Sequence, residues 1–178
     1  MTNTVFFLHG RDSSPSGKKI EDLSAVARKN GWNVVAPDFT NTKDPTERVR
    51  QFVDGYERPQ GRVILVGSSM GGYVAMESSF AFRPDAMLLL APAVGLEGYG
   101  LSDPTPQAEQ LTIVHGWNDH LIDPAYVSRF AQQYKAELHL VNDDHVLHGS
   151  LPLIADLLRD LIDSLSIGTR LSRLVPTL

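Results

Sequence analysis

Apolar positions come in two alternating kinds along this chain. The first kind is a strand-length run, at 4–8, 33–36, 62–66, 86–90, 111–114 and 137–141. Most of these runs are continuously apolar rather than alternating, which is how strands read when a parallel sheet is covered on both faces. The second kind has helical spacing. Ile20, Leu23 and Ala27 lie one turn apart, and Asn30-Gly31 stops that segment. Asp44-Pro45-Thr46-Glu47 supplies a cap, a Pro at the first helical position and a Glu three residues after the cap, ahead of Val49, Phe52 and Val53. Asp123-Pro124 repeats the signal before Tyr126, Val127, Phe130 and Tyr134. A last helix opens at Ser150, carries Leu151, Ile154, Leu158, Leu161 and Leu165 on one stripe, and is expected to stop near Gly168.

Six strand-and-helix repeats predict an α/β architecture: an open, doubly wound, mostly parallel six-stranded sheet with helices on both faces. The expected organisation is one domain over 1–168, with a tail at 169–178 outside the pattern. A length of 178 residues suits one domain. A domain of this size buries roughly 70% of its unfolded surface and needs no staple. The absence of cysteine removes disulfides, thiolate nucleophiles and Cys-ligated metals. The net charge is −5, and no stretch is denser in basic residues than Lys18-Lys19. Nucleic-acid binding, which needs a basic patch, is therefore not expected. The longest apolar runs, such as 87–91, fall far short of the roughly 20 residues of a membrane span. The first residues carry no basic segment before their apolar run, so a cytoplasmic protein is expected. The sequence does not choose between a monomer and a homodimer.

The stretch with most chemistry is Arg62-Val63-Ile64-Leu65-Val66-Gly67-Ser68-Ser69-Met70-Gly71-Gly72. An apolar strand runs into Gly-x-Ser-x-Gly and then into a helix. Such a turn leaves the central Ser exposed at its tip, beside a helix N-terminus. A phosphate-binding loop is the plainer alternative, but neither G-x-G-x-x-G nor a Walker-type Gly-Lys-Ser/Thr is present. Ser69 is thus the candidate nucleophile. It needs a base within hydrogen-bond reach and a third group to orient that base. Asp119, on the loop past the 111–114 strand, is the candidate acid; Asp123 is better explained as a helix cap. His145 and His148 both follow the 137–141 strand, and His145, nearer the strand end, is preferred. His9 and His115 precede glycines at strand ends and read as structural, His120 points elsewhere, and His139 lies within a strand.

Acyl transfer also needs two N–H donors for a developing oxyanion. The backbone N–H groups of Met70 and Arg11 are the candidates, the latter following Leu8-His9-Gly10 at the end of the first strand. The segment 92–110 makes a crossover but is too short for a helical lid with its own core. Leu96, Tyr99 and Leu101 are expected over the mouth of a shallow pocket, with Trp117 and Met70 nearby. Tyr99 and Trp117 are the candidate substrate contacts, and short acyl chains are expected to be preferred.

With Leu-His-Gly-Arg, Gly-Ser-Ser-Met-Gly-Gly, His-Gly-Trp-Asn-Asp and Asp-Asp-His in this order, the chain resembles the α/β-hydrolase superfamily over essentially its full length. More narrowly it is similar to the small, nearly lidless serine hydrolases. The resemblance implies a Ser69–Asp119–His145 triad, an oxyanion hole at Arg11 and Met70, and hydrolysis of small esters or thioesters without a cofactor or metal. Two departures, Arg11 after His-Gly and Asn-Asp-Asp-His in the histidine loop, bear on substrate choice. The alternative is a binding or regulatory module on a hydrolase scaffold, since fold does not imply function.

Overall fold

The computed structural model describes residues 2–101 and 103–172, with side chains as far as residue 166. Among them lie six strands, β1 (Thr4–Leu8), β2 (Asn33–Val35), β3 (Val63–Ser68), β4 (Ala86–Leu90), β5 (Gln110–Gly116) and β6 (Glu137–Val141). They form one sheet in the order β2-β1-β3-β4-β5-β6, with every neighbouring pair parallel. The helices are α1 (Lys18–Lys29), α2 (Pro45–Gly55), α3 (Met70–Phe82), α4 (Pro124–Tyr134) and α5 (Leu151–Ser172).

Period-2 alternation along each strand feeds two separate cores. Val5 and Phe7 of β1, with Ile64 and Val66 of β3, pack against Ile20 and Leu23 of α1 and Ile154 and Leu158 of α5. Phe6 and Leu8, with Val63 and Leu65, face the opposite way, towards Phe52 of α2, Val74 of α3 and Phe130 of α4. Both faces are covered, which explains the unbroken apolar runs. Two of the helix starts follow the caps read from sequence. Asp44 accepts from the N–H of Glu47 at 3.0 Å and Asp123 from that of Ala125 at 2.9 Å, each with Pro at the helix start. Helix α3 is buried along nearly its whole length, as its apolar sequence requires.

One boundary is corrected. Helix α5 runs through Gly168 to Ser172 instead of stopping at the glycine. A lone helical Gly costs only about 1 kcal/mol relative to Ala and does not terminate a helix by itself. The remainder of the expected tail, 173–178, lies outside the described residues. No helix among the described residues is long and apolar enough to cross a membrane.

The chain passes from β1 outward to β2, then returns to the far side of β1 to start β3. Connections after β1 and β3 therefore diverge, one through α1 and the other through α3, onto opposite faces. This is the topological switch point of an open α/β sheet, where a crevice opens at the carboxyl ends of the strands.

The core on the α2 and α3 side contains an aromatic stack. Phe52 and Phe82 lie 4.3 Å apart and parallel within 3°, with Phe6 edge-on to each at 5.3 Å. Phe52 is wholly buried. Phe52→Ala is expected to lower stability by about 3–5 kcal/mol, the range for opening a buried aromatic cavity. Urea unfolding followed by circular dichroism measures this, and a loss below about 1 kcal/mol would mean that the stack is not a supporting element.

Candidate active site

Strand β3 ends in a turn that the glycines at 67 and 71 make possible. Ser69 adopts φ 53° and ψ −119°, a region that a non-glycine residue occupies only when its surroundings force it. The flanking glycines remove the obstruction. A Cβ on Gly67 would collide with the Gly71 carbonyl, and one on Gly71 would collide with the Leu8 carbonyl at the end of β1. The turn is pinned from the next strand: Ser69 N–H donates to the Leu90 carbonyl at 2.9 Å, and the Ser69 carbonyl accepts from Ala93 N–H at 3.1 Å.

Two further loops converge on the Ser69 hydroxyl. His145, after β6, has Nε2 3.0 Å from Ser69 Oγ and Nδ1 2.7 Å from Asp119 Oδ2. With the carboxylate as acceptor, Nδ1–H donates to Asp119, and Nε2 accepts the Ser69 hydroxyl proton. The Asp119 side chain is completely buried. Its other oxygen, Oδ1, accepts from the N–H groups of Leu121 at 2.8 Å and Ile122 at 2.9 Å. Burial works against its charge, but the His145 and backbone hydrogen bonds outweigh that and hold the carboxyl below its ordinary value. The acid and base loops are joined by Asn118 N–H, which donates to the Asp143 carbonyl at 3.0 Å. Asp143 in turn accepts from the N–H and the hydroxyl of Ser150, both at 2.8 Å, tying the histidine loop to the start of α5.

His148 lies exposed on the cavity rim, with no hydrogen bond to Ser69. His9 and His115 are buried and structural. His9 Nε2 accepts from Phe39 N–H at 3.0 Å, so its Nδ1–H donates to the Gly10 carbonyl at 2.8 Å. His115 Nε2–H donates to the Ile122 carbonyl at 3.0 Å and steadies the Asp119 turn. Burial lowers both pKa values, so both rings are neutral at pH 7.

Ser69 opens onto a cavity of about 650 Å³. Arg11 and Tyr99 are in its walls, and Met70, buried, is the first residue of α3. Among the described residues, neither Met70 N–H nor Arg11 N–H donates to any protein acceptor. Leu96 lines the cavity beside Tyr99, whose ring packs edge-on against Tyr73 at 4.9 Å. Residues 92–109, where described, form no helix. Trp117 and Leu101 are corrections: both are more than half exposed and neither lines the cavity. Trp117 N–H is drawn to the Val141 carbonyl at 2.8 Å, continuing the β5–β6 ladder while the indole stays outside the cavity lining. No group of three or more His, Cys, Asp or Glu side chains is arranged to hold a metal among the described residues.

Two residues of the site were not legible as such. Arg48 of α2 is fully buried without an acidic ion-pair partner among the described residues. It donates to four carbonyls instead: Thr42 at 2.9 Å, His9 at 3.2 Å, and Gly10 and Arg11 both at 3.1 Å. In a trans peptide N–H and C=O point opposite ways. Fixing the Gly10 carbonyl therefore aims the Arg11 N–H away from the guanidinium. The other is Lys19, whose ammonium donates to Ser68 Oγ at 3.1 Å in the cavity wall.

With this geometry in view, the chain belongs to the alpha/beta hydrolase family, whose model matches residues 5–174. Among solved structures it is similar to an alpha/beta-superfamily protein of Xanthomonas campestris pv. campestris, with TM-score 0.82 and 29% identity over 92% of this chain and 99% of that one. The fold is also that of the Pyrococcus furiosus esterase Pf2001, with TM-score 0.74 and 18% identity over 91% of this chain and 82% of that one. Est1E from Butyrivibrio proteoclasticus shares it too, with TM-score 0.74 and 16% identity over 93% and 90% of the two chains. An alignment of 149 positions, covering 74% of this chain and 21% of the other, is 28% identical to the bifunctional acetylxylan esterase/xylanase of Neocallimastix patriciarum.

Removing the Arg48 guanidinium takes the donor from the buried His9 carbonyl and from the partly buried Thr42 and Arg11 carbonyls, while the Gly10 carbonyl keeps His9 Nδ1–H; a buried carbonyl left unpaired costs about 1–3 kcal/mol. Arg48→Met is expected to lower stability by about 2 kcal/mol or more, and to speed amide hydrogen exchange in the segment 9–14. Mass-spectrometric exchange on the folded variant reads the second effect; unchanged protection there would show that Arg48 does not hold this loop.

Proposed function

We propose that the protein is a serine hydrolase that cleaves carboxylic esters of small substrates, thioesters included, through an acyl-enzyme. The observation that carries this reading is the hydrogen-bonded chain Asp119 Oδ2–His145–Ser69 Oγ, at 2.7 and 3.0 Å, beside an open cavity. Esterases among its structural neighbours and the acetylxylan esterase similarity agree with it.

In this mechanism Ser69 Oγ attacks the ester carbonyl carbon while His145 Nε2 takes the hydroxyl proton. Asp119 holds the imidazole in the Nδ1–H tautomer and stabilises the imidazolium. The carbonyl oxygen becomes an oxyanion held by Met70 N–H and Arg11 N–H, the two donors without protein acceptors. Collapse breaks the bond to the leaving alcohol, which departs with the proton from His145. Water then attacks the acyl-Ser69 ester, giving its proton to Nε2, and the second collapse returns that proton to Ser69 Oγ as the acid leaves. Tyr99 and Leu96 are the apolar wall for the substrate.

A fluorophosphonate probe tests the nucleophile. Native protein should be labelled and should turn over 4-nitrophenyl acetate. Ser69→Ala should lose the label and retain at most the slow turnover that oxyanion contacts and binding alone support. An unlabelled native protein would favour a binding module on this scaffold. His145→Ala should be crippling and His148→Ala mild, since only His145 reaches Ser69 Oγ. A larger loss at His148 would reverse the assignment of the base.

The cavity is open, and residues 92–109, where described, form no helical lid. Each methylene that such a pocket leaves in water forgoes about 0.8 kcal/mol of binding. Across 4-nitrophenyl esters from acetate to palmitate, kcat/KM should peak at short chains. A steady climb to palmitate would instead mean a deep acyl tunnel.

A further inference from the structure

The wall beside Ser69 carries cations that the reaction above does not use. Arg11, Lys18 and Lys19 all line the cavity, in a chain whose net charge is −5. Lys18 is paired with Asp22 at 2.8 Å. Asp12, also in the lining, is paired with Lys43 at 2.5 Å. Arg11 and Lys19 have no ion pair among the described residues. Against these two cations stands one lining carboxylate without an ion pair, Glu97 of the β4–β5 connection.

Lys19 is the more telling of the two. Its ammonium is partly buried, yet its hydrogen-bond partner in the protein is a neutral hydroxyl, that of Ser68, the residue before Ser69. The nearby acids are engaged within their own loop: Asp143 with Ser150 and the Asp144 N–H, and Asp144 with the Val146 N–H. Burial pushes the Lys19 ammonium down to about 8, against the longer-range pull of Asp143 and Asp144. Nor does helix stability account for the position. Lys19 stands in the first turn of α1, where the macrodipole disfavours a cation by about 0.3–1 kcal/mol. Bonded to a hydroxyl in the cavity wall and to no carboxylate, this ammonium is available to an anion entering the cavity.

We propose that Lys19, with Arg11, forms a carboxylate-binding subsite, so that the esters cleaved at Ser69 carry a carboxylate a few bonds from the scissile carbonyl. This rests on Ser69 acting as the nucleophile.

The test compares two matched pairs of esters. Monomethyl glutarate against methyl pentanoate places the carboxylate on the acyl side, and 4-acetoxybenzoate against phenyl acetate places it on the alcohol side. For at least one pair the ratio of kcat/KM, charged over neutral, should exceed one. In Lys19→Gln that ratio should fall by about tenfold or more, the size of one charge-assisted hydrogen bond. In Lys19→Arg it should hold. The pair that responds tells which side of the ester carries the anion. Ratios at or below one for both pairs, or a ratio untouched by Lys19→Gln, would overturn the subsite while leaving the fluorophosphonate labelling intact. Loss of labelling in the native protein together with failure to cleave any ester would overturn the Ser69 reading, and the subsite with it.

Discussion

The contact on which this structure turns is backbone against backbone, where the first turn of α3 rests on the end of β1. The Gly71 Cα lies so close to the Leu8 carbonyl that no side chain fits between them. That approach lets α3 begin directly from the tip of β3, which sets the Ser69 backbone at φ 53° and lifts its hydroxyl clear of the sheet. Strain of this kind, of order 1–3 kcal/mol, persists only where the surroundings over-determine it. Here they do. The Leu90 carbonyl at the end of β4 and the Ala93 N–H just past it hold the Ser69 peptide groups, and an almost wholly buried α3 fixes the other end.

Around that fixed point each contributing loop is tied by a different means. The loop after β1 is held by Arg48, a buried charge that takes carbonyls as partners. Four well-formed charge-assisted bonds offset much of its desolvation, and the Phe39 ring 5.9 Å from the guanidinium adds a cation–π contact. The loop after β5 closes on Asp119 through two backbone donors, and the loop after β6 is fastened to α5 by Asp143 and Ser150. Loops carry the chemistry, but the rigid ends of the strands and these ties decide where it meets.

The strands and helices were legible because the sheet is parallel and doubly covered, so its strands read as unbroken apolar runs, while Asp44-Pro45 and Asp123-Pro124 mark helix starts by their own chemistry. Ser69 was legible for a related reason, since the glycines at 67 and 71 are demanded by close approach. Proximity to the strand end favoured His145 over His148, and the structure brings His145 to Ser69. Trp117 was not legible. The side on which a residue emerges just past a strand end depends on ladder geometry, and here the indole stays out of the cavity lining. Arg48 looks like a solvent-facing residue of an amphipathic helix, because its partners are carbonyls up to 39 positions away, a separation that no local pattern encodes. Lys19 was visible only as half of a basic pair. Its burial follows from the packing of α1 against the sheet.

Three histidines at the carboxyl ends of the strands differ in what holds their rings. His9 and His115 are buried, and burial lowers their pKa values, so each is a neutral ring with a tautomer set by a backbone partner. His145 is bound to no backbone group among the described residues. Its partners are a carboxylate and a hydroxyl. The carboxylate decides the tautomer, because Asp119, held below its ordinary value by three donors, can only accept. With the proton on Nδ1, the lone pair of Nε2 is directed at Ser69, whereas charging His9 would cost it the Phe39 N–H and charging His115 would strand a cation in the core.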